Sequence, residues 1–476
     1  MTATAVDRGS AGWVLRPAVE DLVGRVSGLT WDRLDEPTRA ATRALVLDAL
    51  GLAAAAPAAP SLAATSLALR RVAGSAGHSG VHVPFAGAFP GPGEAATALS
   101  VAVHAWDFDD THDDAVVHAA CVAVPAALAV AQECGADGRR MLEGVVAGVE
   151  ILCRLSLALG PQAGVIRTAG LGGLGAAAAA ARVLGLPADR TLAALALALP
   201  TALAPTSRQV VSDSAINKRH QPGLAVHAGV TAAYLAAAGL DGPAGWWDGE
   251  HGLARAVGDL ETAARSLDVA GWEVARVSLK PYPACRYAHA AVAGVLDLTR
   301  GEKVAAEEAP SVEVHLPVGS AHVMVARPFE RRGQPIVDAQ FSVPWLVAAA
   351  LLRGGVGLPE MTDEVRTDPA IERVAQDRVT VVQDQDPGTG VMTPVVVRST
   401  GPDGVHSVTV KHLPGSPARR LTREEQRAKL LGCLAVAGRP AAEADTLAAL
   451  VADLDSLSPR ELTQRLPAAT PEVLHA

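Results

Sequence analysis

The residues from His104 to His118, HAWDFDDTHDDAVVH, set five Asp, three His and one Thr between two Ala/Val-rich runs. A carboxylate inside a core must be paired, hydrogen-bonded or neutralised, so a core segment carries such a load only with a use for it. Read as helix, the segment puts Asp107, Thr111, Asp114 and His118 at i, i+4, i+7 and i+11, which is one face. A carboxylate, a hydroxyl and an imidazole on one face outline a proton-transfer site. Two other readings compete. Charge runs are ordinarily solvated faces, which would make Asp109, Asp110, Asp113 and Asp114 an acidic loop. The same donors could also hold a divalent cation, although no Gly-turn calcium-loop pattern is present.

Two further segments carry cations. In SDSAINKRHQPGLAVHAG, residues 212–229, Lys218, Arg219 and His220 precede Pro222, Gly223 and an apolar helix. A positive cluster at a helix N-terminus suits an anion; a basic loop reaching into water is the bland alternative. In SLKPYPACRYAHA, residues 278–290, two prolines fix an extended run that aims Lys280, Tyr282, Arg286 and His289. The bland alternative here is a crossover whose polar residues cap the next helix. Cys285 reads as a packed thiol. Gly170-Leu-Gly172-Gly173-Leu-Gly175 fits GxGxxG, but no strand precedes it and no βαβ texture surrounds it. Glycines that let helices pack closely are the better reading.

The elements that must position these residues are mostly helical. From Pro17 to about Gly271, Ala, Leu and Val recur at three- and four-residue spacing, with Gly, Pro or Asp at the ends. The runs 36–56, 93–107, 119–134, 138–159, 175–184 and 223–238 are examples. Near Trp272 the texture changes. SVEVHLP, DRVTVVQDQ, PVVVRST and HSVTVKHL read as strands, the last two a hairpin across GPDG. Helices are expected over 290–300 and 343–352. This predicts a separate α/β domain with an antiparallel sheet. Helices return over 422–435, 441–453 and 458–465. The expected division is an arm over 1–15, a helical domain over 16–272, an α/β domain over 273–415 and C-terminal helices over 416–476.

Composition narrows the function classes. The 41 basic and 50 acidic residues give a net charge of −9, against the basic field that nucleic acid requires. The five cysteines form no CxxC pair, which fits a reducing compartment better than a disulfide framework or zinc site. The N-terminus lacks the apolar core of a signal peptide. The longest apolar run, 192–204, is broken by Pro200 and falls short of the roughly 20 residues of a spanning helix. A soluble cytoplasmic protein without membrane partner is expected.

Taken together, HAWDFDDTH with His118 downstream, SDSAINKRHQPGLAVHAG and KPYPACRYAH resemble the MmgE/PrpD family, in order and spacing, over about residues 15–435. DAQFSVPW (338–345) and LPGSP (413–417) match its later landmarks. That family includes 2-methylcitrate dehydratase, cis-aconitate decarboxylase and iminodisuccinate epimerase. The resemblance implies a mainly α protein: a large all-helical domain built from both chain ends, and a smaller α/β lid. It implies a homodimer, no cofactor and no metal. It assigns Asp107, Thr111 and His118 to the first site motif, Lys218 to the second and Lys280 to the third. The sequence departs from the pattern where many relatives carry His-Pro-Thr-Gly with a site histidine. Here Ile166-Arg167-Thr168-Ala169-Gly170 stands instead.

The expected chemistry is removal of a proton beside a carboxylate of a small polycarboxylate. Asp107, His118, Lys218 and Lys280 would be catalytic. Thr111, Arg219, His220 and Arg286 would bind substrate. Cations would stabilise the enolate, and His118 would be the base or acid, with an unperturbed pKa of about 6.5. Dehydration leads; epimerisation, isomerisation or decarboxylation in the same pocket is the alternative. A catalytically dead relative that binds an anion is a third.

Overall fold

The computed structural model describes residues 8–466 except 61, 75–79, 163, 204–206, 269, 320–321 and 387–391, with side chains from Leu15 on. Helix dominates, as the Ala/Leu spacing predicts. Pro92–His104, Ala120–Cys134, Gly138–Leu159, Arg167–Leu184 and Gln221–Ala237 pack side by side. Small residues make that closeness possible. A Cβ on Gly229 would lie 2.7 Å from the Ala176 Cβ and closer still to the Gly173 carbonyl oxygen. Gly170, Gly172, Gly173 and Gly175 therefore sit inside a helix and serve packing rather than a nucleotide.

Both ends of the chain join this bundle. Glu36–Ala55 starts at Asp35, whose carboxylate accepts from the Thr38 N–H, and it packs against Arg423–Val436 and Glu443–Ala452. Pro459–Arg465 packs on Ala120–Cys134. The stretch Glu36–Ala58 is long and apolar enough to cross a membrane. In the fold it is a core helix, with Leu45, Val46, Ala49 and Leu50 fully buried. Helix also extends from Arg8 to Ser27, so residues 8–15, expected as an arm, are helical. A two-stranded hairpin, β1 (Val81–Val83) with β2 (Gly87–Phe89), interrupts the helical part.

The second part is a sheet of β3 (Ser311–Pro317), β4 (Val379–Gln385), β5 (Val395–Gly401) and β6 (Gly404–Val410), in the order β4-β3-β5-β6. The β5–β6 pair is the expected hairpin, but β4 runs parallel to β3, so the sheet is mixed. A parallel pair needs a crossover, and the chain between β3 and β4 supplies one through Val343–Arg353 and Pro369–Asp377. His289–Thr299 lies on the sheet so closely that a Cβ on Gly294 would stand 2.5 Å from the Val397 side chain.

Candidate active site

The acidic segment is not a helix. The Pro92–His104 helix ends at His104, and residues 105–119 form a compact loop closed by short bridges between Thr111 and Ser278 and between His112 and Val117. The one-face spacing of Asp107, Thr111, Asp114 and His118 is therefore not what gathers the site. Tertiary partners do. Asp110 accepts from the Ala119 and Ala120 N–H groups at 2.9 and 2.7 Å and so caps the Ala120–Cys134 helix. His112 pairs with buried Glu273 at 2.7 Å. Asp113 takes a two-pronged bond from Arg286, at 2.8 and 2.9 Å. Asp114 alone faces solvent, 3.9 Å from Arg276.

These ties hold Asp107 in a left-handed backbone conformation, φ 51°, unusual outside glycine. Lys280, with no exposed surface, donates to the Asp107 carbonyl at 2.8 Å and to its Oδ1 at 3.0 Å. Lys218 donates to the same Oδ1 at 3.3 Å. Burial alone would raise the Asp107 carboxyl; the Lys218 and Lys280 ammonium groups overcome it and hold the group well below the usual range. Asp107 is thus a fixed anion and not a proton carrier.

His118 presents an imidazole to the same space. Its Nδ1 lies 2.7 Å from the Asp110 carbonyl oxygen, which accepts only, so Nδ1 bears the hydrogen. Nε2 is left with a free lone pair, 4.0 Å from Asp107 Oδ1. Burial drives its pKa down to about 3, with the lysines assisting and Asp109 opposing, so the imidazole is neutral at pH 7. Beneath it lies a pair that the sequence reading passed over. His104 donates from Nδ1 to Asp109 at 2.8 Å and presents Nε2 to Lys218 Nζ at 3.0 Å. Burial keeps His104 neutral despite Asp109. Asp109 is wholly buried and is no part of a solvated loop.

A cavity of about 200 Å³ opens in front of these groups, where the helical part meets the sheet part. Asp107, Thr111, His118 and Lys218 line it, together with Ile166, Val211, Met324 and Phe341. Five of the eight expected residues, the first four of these and Arg286, thus share one cavity. Lys280 acts from behind Asp107 and does not line it. Arg286 reaches it, but its guanidinium is committed to Asp113 and to the Pro414 carbonyl. Arg219 and His220 turn away. Arg219 binds the Gln340 side chain at 2.5 Å, and His220 meets Thr65 at 2.7 Å. Lys218 and Arg219 sit in a 3-10 turn, Ile216–Arg219, where neighbouring side chains diverge by about 120°. The first residues of the Gln221–Ala237 helix likewise do not line the cavity. Cys285 lines the wall with its thiol pushed up to about 11 by burial, which leaves it unreactive.

His104, Asp107, Asp109 and His118 each offer one donor atom within 4.8 Å of the others, the right chemistry for a divalent ion. The arrangement does not fit one. Lys218 and Lys280 already occupy His104 Nε2 and Asp107 Oδ1, and a metal there would face two ammonium groups.

Residues 20–265 match the MmgE/PrpD N-terminal domain and residues 282–455 the MmgE/PrpD C-terminal domain. Among curated proteins none matches the chain.

Proposed function

The chain belongs to the MmgE/PrpD family, and on that premise we propose a cofactor-independent lyase that eliminates water from a small polycarboxylate. One observation carries the proposal. A neutral imidazole, His118, holds its Nε2 lone pair open to a cavity beside an anion pinned by two buried ammonium groups. That lone pair takes a proton from a carbon next to a carboxylate. The imidazolium formed is stabilised by Asp107, 4.0 Å away. The enolate that develops faces Lys218, whose charge is buried and so is worth more than it would be in water. The Thr111 hydroxyl, also on the wall, orients the substrate. The His118 imidazolium returns that proton to the hydroxyl on the neighbouring carbon as the enolate collapses, so the C–O bond breaks, the double bond forms and water leaves.

The same residues would serve epimerisation, with the proton returned on the other face, or decarboxylation, with the carbanion protonated after CO₂ leaves. Products separate the three. A panel of hydroxylated di- and tricarboxylates, followed by proton NMR, should give new vinylic signals with at least one member. Inverted stereochemistry without vinylic product would replace elimination by epimerisation. Ligand-dependent thermal stabilisation with no product from any member would leave an anion-binding protein. We further propose a cytoplasmic homodimer, in which Leu224 and Leu235, exposed on one face of the Gln221–Ala237 helix, are covered.

A further inference from the structure

We propose that Arg167, with the start of the helix it opens, is a second anion anchor in the cavity and selects a substrate with two separated carboxylates. The inference deepens the proposed function and rests on the same cavity. Arg167 lines that cavity beside Ile166 and Thr168. Its guanidinium donates to the Ala115 carbonyl at 2.9 Å. Among the described residues no carboxylate stands within ion-pair distance of it, in contrast to Arg286 with Asp113 and to Lys218 and Lys280 with Asp107. Burial lowers its pKa, so the cost of desolvation is not relieved by a counter-charge. A charge in that position calls for an anion that arrives with the ligand.

The backbone points the same way. Arg167 is the first residue of an 18-residue helix, Arg167–Leu184, whose N-cap residue Ile166 has no capping side chain; one of its end N–H groups, that of Ile166, donates to the Ser207 hydroxyl at 2.8 Å. The positive end of the helix therefore faces the cavity together with the guanidinium. It is also locked to the base: the Thr168 hydroxyl accepts from the His118 N–H at 3.0 Å. One carboxylate on Lys218 would put the reacting carbon before His118. A second, on Arg167, would fix which hydrogen is presented. Ile166, Val211 and Phe341 add apolar surface to the same cavity, which suits a short carbon chain.

Titration calorimetry with succinate, glutarate and citrate, against butyrate as monoanion, tests this on wild type, Arg167→Met and Arg167→Lys. Loss of a charged hydrogen bond costs about 1.5–3 kcal/mol, or roughly 10- to 150-fold in Kd. Arg167→Met should weaken the best di- or tricarboxylate by at least about tenfold and leave butyrate within about twofold. Arg167→Lys should fall between. Melting curves without ligand establish that the variants are folded. Equal weakening of butyrate, no weakening at all, or a wild type that binds no di- or tricarboxylate overturns the anchor. The two readings separate cleanly. If Arg167-dependent binding is seen without turnover, the lyase reading fails and the anchor stands. If turnover proceeds with unchanged KM in Arg167→Met, the anchor fails and the lyase reading stands.

Discussion

Replacing Lys280 with Met should cost far more stability than a cavity lysine would, because Lys280 is not a surface of the cavity but the strut behind it. Its ammonium has no exposed area and makes two bonds to one residue, at 2.8 and 3.0 Å. At an effective dielectric near 20, charges 3 Å apart attract by about 5 kcal/mol, and breaking a buried pair by removing one partner costs about 3–5 kcal/mol. Met fills nearly the same volume, so the loss is electrostatic rather than a cavity. Urea unfolding, read by linear extrapolation, should show Lys280→Met destabilised by about 3–5 kcal/mol. The pH dependence has a sign. Asp107 is held below its ordinary value, so its contribution is complete above a pKa of about 3.9 and is lost as pH falls through the folded value. Without Lys280 the folded value rises, and acid unfolding of the variant should begin at higher pH. The double variant Lys280→Met/Asp107→Asn removes the unpaired charge as well, so the two changes should be strongly non-additive. A loss under about 1 kcal/mol, the range of an exposed pair, or strict additivity in the cycle would refute the reasoning.

Other outcomes follow from the same geometry. The His118 pKa is held near 3, against about 6.5 unfolded. The stability from its neutral form is therefore present above about 6.5 and lost as pH falls towards 3. The acid limb of kcat/KM should accordingly lie well below 6, and a limb near 6.5 would contradict the burial of the base. Turnover should survive exhaustive chelation; loss restored by a divalent ion would revive the His104, Asp107, Asp109, His118 cluster as a metal site. Gly229→Ala should destabilise the bundle by about 1–3 kcal/mol or more, measured by urea, because its Cβ would run into the Gly173 carbonyl. Arg286→Ala should lower the melting temperature while leaving substrate KM nearly unchanged, since the fork is spent on Asp113; a large rise in KM with normal stability would return Arg286 to the binding residues.

Most helices were legible because burial writes its own period into a chain, as in Gly138–Leu159, where the apolar stripe and the Asp137 cap agree. The three cationic and acidic segments each stood out because they carry groups that an Ala-rich core would not otherwise hold; it was the family resemblance that grouped them as one site. What local spacing could not show was direction. The 105–119 loop looks helical by pattern, but each of its buried aspartates answers a partner outside the segment or at the next helix start. Asp110 caps, Asp113 meets Arg286, and Asp109 pairs with His104. Lys218 and Arg219 are neighbours in sequence and part company in a tight turn. The signal that could have found His104 is its place at the end of a mostly apolar helix, five residues before Asp109. The parallel placement of β4 beside β3 depends on the crossover between them and leaves no trace in the alternation of either strand.

The account turns on His118 as the group that moves the proton. Deuterium uptake from heavy water at the carbon beside the substrate carboxylate, followed by NMR in wild type and His118→Gln together, tests it most directly. The wild type should exchange. The variant, folded and still binding the anion, should be slower by about 100-fold or more. Near-normal exchange in His118→Gln would contradict the account.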